Sequence, residues 1–293
     1  MDRKFNSRTV FLILDYIFLT VLSLTCLLPM IHILAMSFSS SSAVTRGDVT
    51  LFPVDFTTKA YEYVLGKKEF WVACLVSVKR VVLGVSINMI LTVLTAYPLS
   101  KDSKALHGRS IYAWVFVLTM LFSGGMIPTY MVVRQCGLID NIWSLILPGA
   151  VPIFNVILML NFFRTTPQAL EEAAKLDGAG QFNILLRVYL PLAMPSLATV
   201  FLFSFVGHWN EWFSGLLYMI HTENYPLQSY LQTVIIQTSL QNMNVVDLEL
   251  LSKVSDRTKN AAQIFIAMIP ILLAYPFLQK HFTKGLILGS VKG

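Results

Sequence analysis

Between Val10 and Met36 the chain carries one acid, Asp15, and neither lysine nor arginine. A run of this kind is long enough to cross a hydrocarbon core, which takes about 20 residues of helix. It is also about twice as long as the apolar core of a cleaved secretory signal, typically 7–15 residues. The stretch therefore reads as a retained first span, with Asp15 as a snorkelling or capping residue near its start.

The rest of the chain repeats the pattern. Further apolar runs cover about 71–99, 111–133, 143–163, 190–218 and 261–278, which makes six spans in one transmembrane domain over 1–293. Only 13% of residues are charged and 55% are hydrophobic, with a mean hydropathy of +0.65; soluble domains carry about 25% charge. The fold class expected is an all-α integral membrane protein of six transmembrane helices. Cys26, Cys74 and Cys136 lack metal or redox spacing and read as packing residues. A net charge of +6 raises the question of nucleic acid, but no basic patch with interleaved aromatics is present, and lysine and arginine at cytoplasmic helix ends account for the excess.

Several breaks mark the chain. Residues 37–70 form a polar loop, with Ser39–Ser42 reading as a linker and Thr58–Leu65 as a short helix. Lys79 and Arg80 are expected at the membrane interface, because charges at a bilayer centre cost several kcal/mol. In span three, Ser123-Gly124-Gly125-Met126-Ile127-Pro128 softens the helix. Six spans put both termini on one side. Arg3, Lys4, Arg8, Lys101, Lys104 and Arg109 lie at the N-terminus and in a short loop on that side, whereas the bases of the other side fall mostly in longer loops. Short loops dominate orientation, so both termini are expected in the cytoplasm.

On this topology the polar block 164–189 is a cytoplasmic loop between spans four and five. Pro167 is placed to start a helix, Ala169 to Lys175 are strong helix formers, and Gly178 and Gly180 can end it. Charge alone leaves open whether this is a docking element or an ordinary solvated loop. The spacing Glu172-Ala173-Ala174, three residues, Gly178, nine residues, Val188, one residue, Leu190-Pro191 resembles the loop motif of bacterial ABC importer permease subunits, with valine in place of isoleucine. Leu51-Phe52-Pro53, Ala96-Tyr97-Pro98-Leu99-Ser100, Gly207-His208-Trp209-Asn210-Glu211 and the tail with Gln279, Gly285, Gly289 and Val291-Lys292-Gly293 are similar to the carbohydrate-uptake branch, in particular the second membrane subunit of maltose-type permeases.

The resemblance implies a coupling helix on which Glu172, Ala173, Ala174, Asp177 and Gly178 contact a separate ATPase dimer. The tail from Gly285 to Gly293 would reach between the two ATPase subunits. It also implies a second permease subunit, an extracytoplasmic solute-binding protein, a carbohydrate cargo and residence in the bacterial cytoplasmic (inner) membrane. The Lys79-Arg80 pair and the Tyr-Pro ending of span two are similar to permeases for acidic oligosaccharides such as alginate or pectin fragments. No cofactor is expected on this chain: it has no Gly-x-x-x-x-Gly-Lys-Ser/Thr loop, so ATP and magnesium belong to the partner.

No catalytic or metal-ligating set is present: neither His-Glu-x-x-His nor Gly-x-Ser-x-Gly occurs. Polar residues inside spans are candidates for a translocation pathway. Here they are Asn88, Asn155, Asn210 and Glu211, with Asn161 also inside a span. For each asparagine the favoured alternative is interhelical hydrogen bonding; Glu211, between Trp209 and Trp212, also fits an interfacial anchor. A secondary transporter or channel is the rival class. Inverted repeats or a relay of membrane acids would mark it, and neither is seen.

Overall fold

A computed structural model describes residues 7–102, 106–241 and 256–290. Among the described residues all regular structure is helical. Arg3, Lys4, Lys104, Lys253 and Val291-Lys292-Gly293 lie outside them. Among the described residues three helices are long and apolar enough to cross a membrane, and up to six spans result if each of three bent helix pairs is counted as one. The chain divides into two compact units, 1–70 with 233–269 and 71–232 with 270–293.

In the first unit, α1 (Ser7–Ser37) presents apolar side chains on every side, with Phe11, Tyr16 and Phe18 all exposed. Leu, Ile and Phe around the whole circumference leave no polar face, the pattern of a lipid-facing helix. The serine run that reads as a linker is instead built into the structure. Ser39 Oγ donates to the Ala35 carbonyl at 2.6 Å, and Ser40 caps α2 (Ser41–Arg46) through the Ala43 N–H. Hydroxyls that satisfy turn and helix-end backbone groups let the chain reverse without orphaned donors. Beyond it, α3 (Lys59–Leu65) covers the short helix expected there. Phe38 stacks on both Phe56 and Tyr61, with ring centroids 5.4 and 4.7 Å away.

The second unit is built around α4 (Lys68–Ser100), most of which it contains. Next come α5 (Arg109–Leu121) and α6 (Met126–Gln135), which meet at 114°. Gly125 forms the corner at φ +88°, ψ 175°, a conformation open essentially to glycine alone. Two 3-10 turns, Ile142–Leu145 and Leu147–Gly149, precede α7 (Ile153–Arg164) at a 46° bend; Pro148 and Pro152 remove the N–H groups a continuous helix would need. After these lie α8 (Gln168–Leu176), α9 (Gln181–Leu192) and α10 (Met194–Asn210), the last two bent by 84°. Within α9, Leu185–Tyr189 form a π turn in which the Leu190 N–H reaches back to the Leu185 carbonyl. The bend comes at Ala193, between Pro191 and Pro195. Short α11 (Phe213–Tyr218) is followed by α12 (Leu227–Gln241) and α13 (Asp256–Ser290), which cross between the units. Gly285 and Gly289 fall on α13.

The main core of this unit joins the ends of α4, α7 and α9. Tyr97, Phe163 and Tyr189 pack edge-to-face in a triangle with centroids 5.1 to 6.2 Å apart. Each such pair adds about 0.5–1.5 kcal/mol beyond its buried area.

Candidate functional site

Helix α8 is delimited by its own sequence. Pro167 stands at the N-cap position, and the last turn closes at Gly178 with φ +80°. The Gly178 N–H donates to the Lys175 carbonyl and the Ala179 N–H to the Ala174 carbonyl, a Schellman ending that requires a left-handed residue. The fixed distance between the Glu-Ala-Ala triplet and the glycine is therefore the distance from the helix body to its C-terminal lock. Glu172, Ala173, Leu176, Asp177 and Gly178 are exposed, while Ala174 packs against the aromatic core. Leu176 is 89% exposed, on a segment otherwise rich in charge.

The acid that anchors α8 is Glu171, not Glu172. Its Oε2 accepts from Lys101 Nζ at 2.6 Å and from the Tyr189 hydroxyl at 2.5 Å, and its Oε1 pairs with Lys175 at 2.9 Å. Burial raises the Glu171 pKa, but the three donors outweigh it and hold the carboxyl at about 2. The Lys101 ammonium lies over two rings, 4.1 Å from the Tyr97 centroid and 4.0 Å from that of Tyr189. Its pKa is lowered by desolvation, against the opposing pull of Glu171. Glu171, Lys101 and the two tyrosines escape a reading by motif because their meeting is tertiary; the local signal was the Glu171–Lys175 spacing of four. A cavity of about 470 Å³ adjoins the group, lined among others by Arg109, Arg164, Glu172 and Lys175.

A second polar group lies further back along α4. Lys79 is exposed and Arg80 is 3% exposed, so the pair expected at one interface is split between two environments. Arg80 is tolerated inside because both of its terminal nitrogens find partners, while the buried Nε has none among the described residues. Its Nη2 donates to Glu211 Oε2 at 2.7 Å and Ser214 Oγ at 3.0 Å, and its Nη1 to the Glu211 carbonyl at 2.9 Å, just past the end of α10. A cation there also meets the negative end of the helix dipole. The Ser214 backbone N–H donates to Glu211 Oε1 at 2.9 Å, and its hydroxyl donates to Oε2.

Eight residues along α4, Asn88 Nδ2 donates to the Gly149 and Ala150 carbonyls at 2.9 and 2.8 Å. Those carbonyls are freed where the prolines interrupt the helix, and a neighbouring side chain re-satisfies them. Asn88 Oδ1 pairs with His208 Nε2 at 2.8 Å, and Asn155 Nδ2 donates to Ser204 Oγ at 3.1 Å. Asn88 and Asn155 are thus hydrogen-bonded between helices. They also border, with Arg80, His208 and Glu211, a cavity of about 550 Å³. Asn210 and Asn161 are exposed and line neither cavity. No cluster of His, Cys, Asp or Glu suited to a metal occurs among the described residues.

Residues 10–287 match the family described as binding-protein-dependent transport system inner membrane component. The chain belongs to that family. Among its relatives, the polygalacturonan/rhamnogalacturonan transport system permease protein YtcP of Bacillus subtilis is 41% identical over 97% of this chain and 99% of its own. Protein LplC of the same organism is 40% identical over 97% and 95%. A crystal structure of a bacterial ABC transporter that imports the acidic polysaccharide alginate contains a chain that superposes with a TM-score of 0.85 at 37% identity, over 96% of this chain and 100% of that one. The permease is therefore a transport subunit of the bacterial inner membrane, of the sugar-importing kind.

Proposed function

We propose that this permease forms half of the translocation pathway of an ATP-driven importer for an acidic oligosaccharide, and that α8 is its coupling helix. In this reading the chain crosses the membrane six times, with both termini and residues 164–189 in the cytoplasm. It works with a second permease subunit, a dimer of ATP-binding subunits that use ATP and magnesium, and an extracytoplasmic solute-binding protein. The observation that carries the reading is the surface of α8. Glu172, Ala173, Leu176 and Asp177 all face solvent, Leu176 at 89%, while Glu171 and Ala174 hold the opposite face to the core, so the helix is anchored with its outward face available to a partner. Small Ala173 permits close approach, and Glu172 and Asp177 offer charge to basic groups on the ATPase. The uronate chemistry of the cargo rests on the pectin and alginate relatives.

In the cavity Arg80 and Glu211 neutralise one another, so this half offers hydrogen-bonding groups rather than a net positive field to an acidic sugar. Asn88, Asn155 and Glu211 border that cavity and Asn210 does not.

The test is co-expression with tagged ATP-binding subunits. Leu176→Glu is expected to reduce their co-purification at least tenfold, and full retention would refute the docking role of α8. For cargo, oligogalacturonate or oligoalginate bound to the solute-binding protein should stimulate ATP hydrolysis more than maltodextrin does; the reverse order would refute the acidic cargo.

A further inference from the structure

The anchor beneath α8 carries more than a fold. Lys101 follows directly on the last residue of α4, and its backbone carbonyl accepts from Arg109 Nη1 at 2.8 Å, which fixes it to the first turn of α5. Its side chain enters a cage made by Tyr97 of α4 and Tyr189 of α9, and ends on Glu171 of α8. One ammonium thus contacts three helices. Tyr97 also donates to Gln181 Oε1 at 2.8 Å, a second tie from α4 to α9. Tyr189 closes the π turn, and a π turn displaces the register of the helical turns after it. With both side chains only 11–12% exposed, the ion pair is poorly screened. Along α4, Arg80 is about 30 Å from Lys101 at 1.5 Å per residue, on one continuous helix.

We propose that Lys101, caged by Tyr97 and Tyr189 and paired with Glu171, is the positioning residue that locks α8 to α4 and α9, so that a displacement of α8 is passed to the helices lining the polar cavity. The proposal rests on the reading of α8 as the ATPase-docking helix. Exposed groups of α8 bind the partner; the caged lysine converts that contact into movement of the spans. Loss of its charge separates the two events: the partner still docks and the stroke is not transmitted.

The experiment uses the complete importer in proteoliposomes with its solute-binding protein and an acidic oligosaccharide. Lys101→Met keeps the stem and removes the charge. It is expected to retain the ATP-binding subunits on co-purification, to lose at least tenfold of the stimulation of ATP hydrolysis by loaded binding protein, and to lose uptake in proportion. Lys101→Arg, which stacks on aromatic rings and pairs with carboxylates, is expected to restore stimulation to within about threefold of the wild-type level. Tyr97→Leu removes one wall of the cage and leaves the ion pair; it is expected to reduce stimulation about threefold, and it stands in if the Lys101→Met chain does not accumulate in the membrane at all. Full stimulation and uptake in Lys101→Met, or in Tyr97→Leu where that variant stands in, overturns the proposal. So does a loss of ATP-binding subunits as large as that of Leu176→Glu, or failure of arginine to restore the response. If Leu176→Glu itself keeps the subunits bound, it is the docking reading that has failed.

Discussion

Arg80 on α4 and Glu211 at the end of α10, 131 positions apart in the chain, meet at 2.7 Å, with the guanidinium almost wholly enclosed and the carboxylate side chain about a third exposed. Removing one partner of such a pair leaves a buried charge without a counter-ion, which is strongly destabilising, whereas replacing both with apolar residues of similar size is often neutral. Glu211→Leu is therefore expected to cost on the order of 3 kcal/mol, with Arg80→Met/Glu211→Leu recovering most of it. Thermal unfolding of the purified complex in detergent measures both, and equal losses in the single and double variants would contradict the pairing.

Gly84 lies against the His208 ring, where an added Cβ would come within 2.5 Å of the imidazole. Gly84→Ala should push His208 off Asn88, and overpacking of this kind costs about 1–3 kcal/mol. The same unfolding assay reads it, and Gly149→Ala, with nothing within 4 Å, is the control with little packing penalty.

Gly178 holds φ at +80° with open space around it. Any effect of Gly178→Ala is thus conformational rather than steric, at about 1 kcal/mol. Faster amide hydrogen exchange at Gly178 and Ala179, whose N–H groups close the helix end, is the expected signature; unchanged exchange would show that the turn tolerates alanine.

Two loops are clasped at Asp140, which accepts from the backbone N–H groups of Ile220 and His221, from Asn224 Nδ2 and from the His221 ring. The His221 hydrogen bond is the largest influence holding the Asp140 pKa well below the usual carboxylate range, and Asp140 in turn raises that of His221. A depressed acid contributes stability above its unfolded pKa and loses it as pH falls through the folded value. A raised histidine contributes below its unfolded pKa, about 6.5, and loses that contribution as pH rises through the folded value. The clasp is therefore tightest from about pH 4 to 6.5 and loosens on the alkaline side. Protection of the Ile220 and His221 amides, corrected for intrinsic exchange, should fall as pH is raised from 6 to 9 in the wild type and stay flat in His221→Gln.

How much of this was legible depends on the range of the interaction. Pro167, Ala169 to Lys175 and Gly178 mark out α8 because capping and helix propensity act over a few residues. Residues 143–163, by contrast, read as one span, and it is the structure that shows the helix broken at Pro148 and Pro152. The motif spacing pointed to Glu172, yet the anchoring acid is its neighbour: one residue turns a side chain by about 100° around a helix, and only the packing of α4, α7 and α9 shows which of the two faces inward. Asn210 was singled out because it lies inside an apolar run, a test that does not see which way a side chain faces.

By itself, the sequence determined that the chain is an all-helical membrane protein, where α8 starts and stops, and which transporter family carries its loop spacing. The first two depend on local hydrophobicity, propensity and caps, and the third on the resemblance of a motif held within about twenty residues. Only the tertiary structure decided that Arg80 leaves its neighbour Lys79 for Glu211, that Asn88 satisfies carbonyls of a broken helix, and that Lys101 enters a tyrosine cage to hold Glu171. In each case a buried polar group must find a partner. The available partner lies between 61 and 131 residues away along the chain, a distance over which residue patterns carry no geometry.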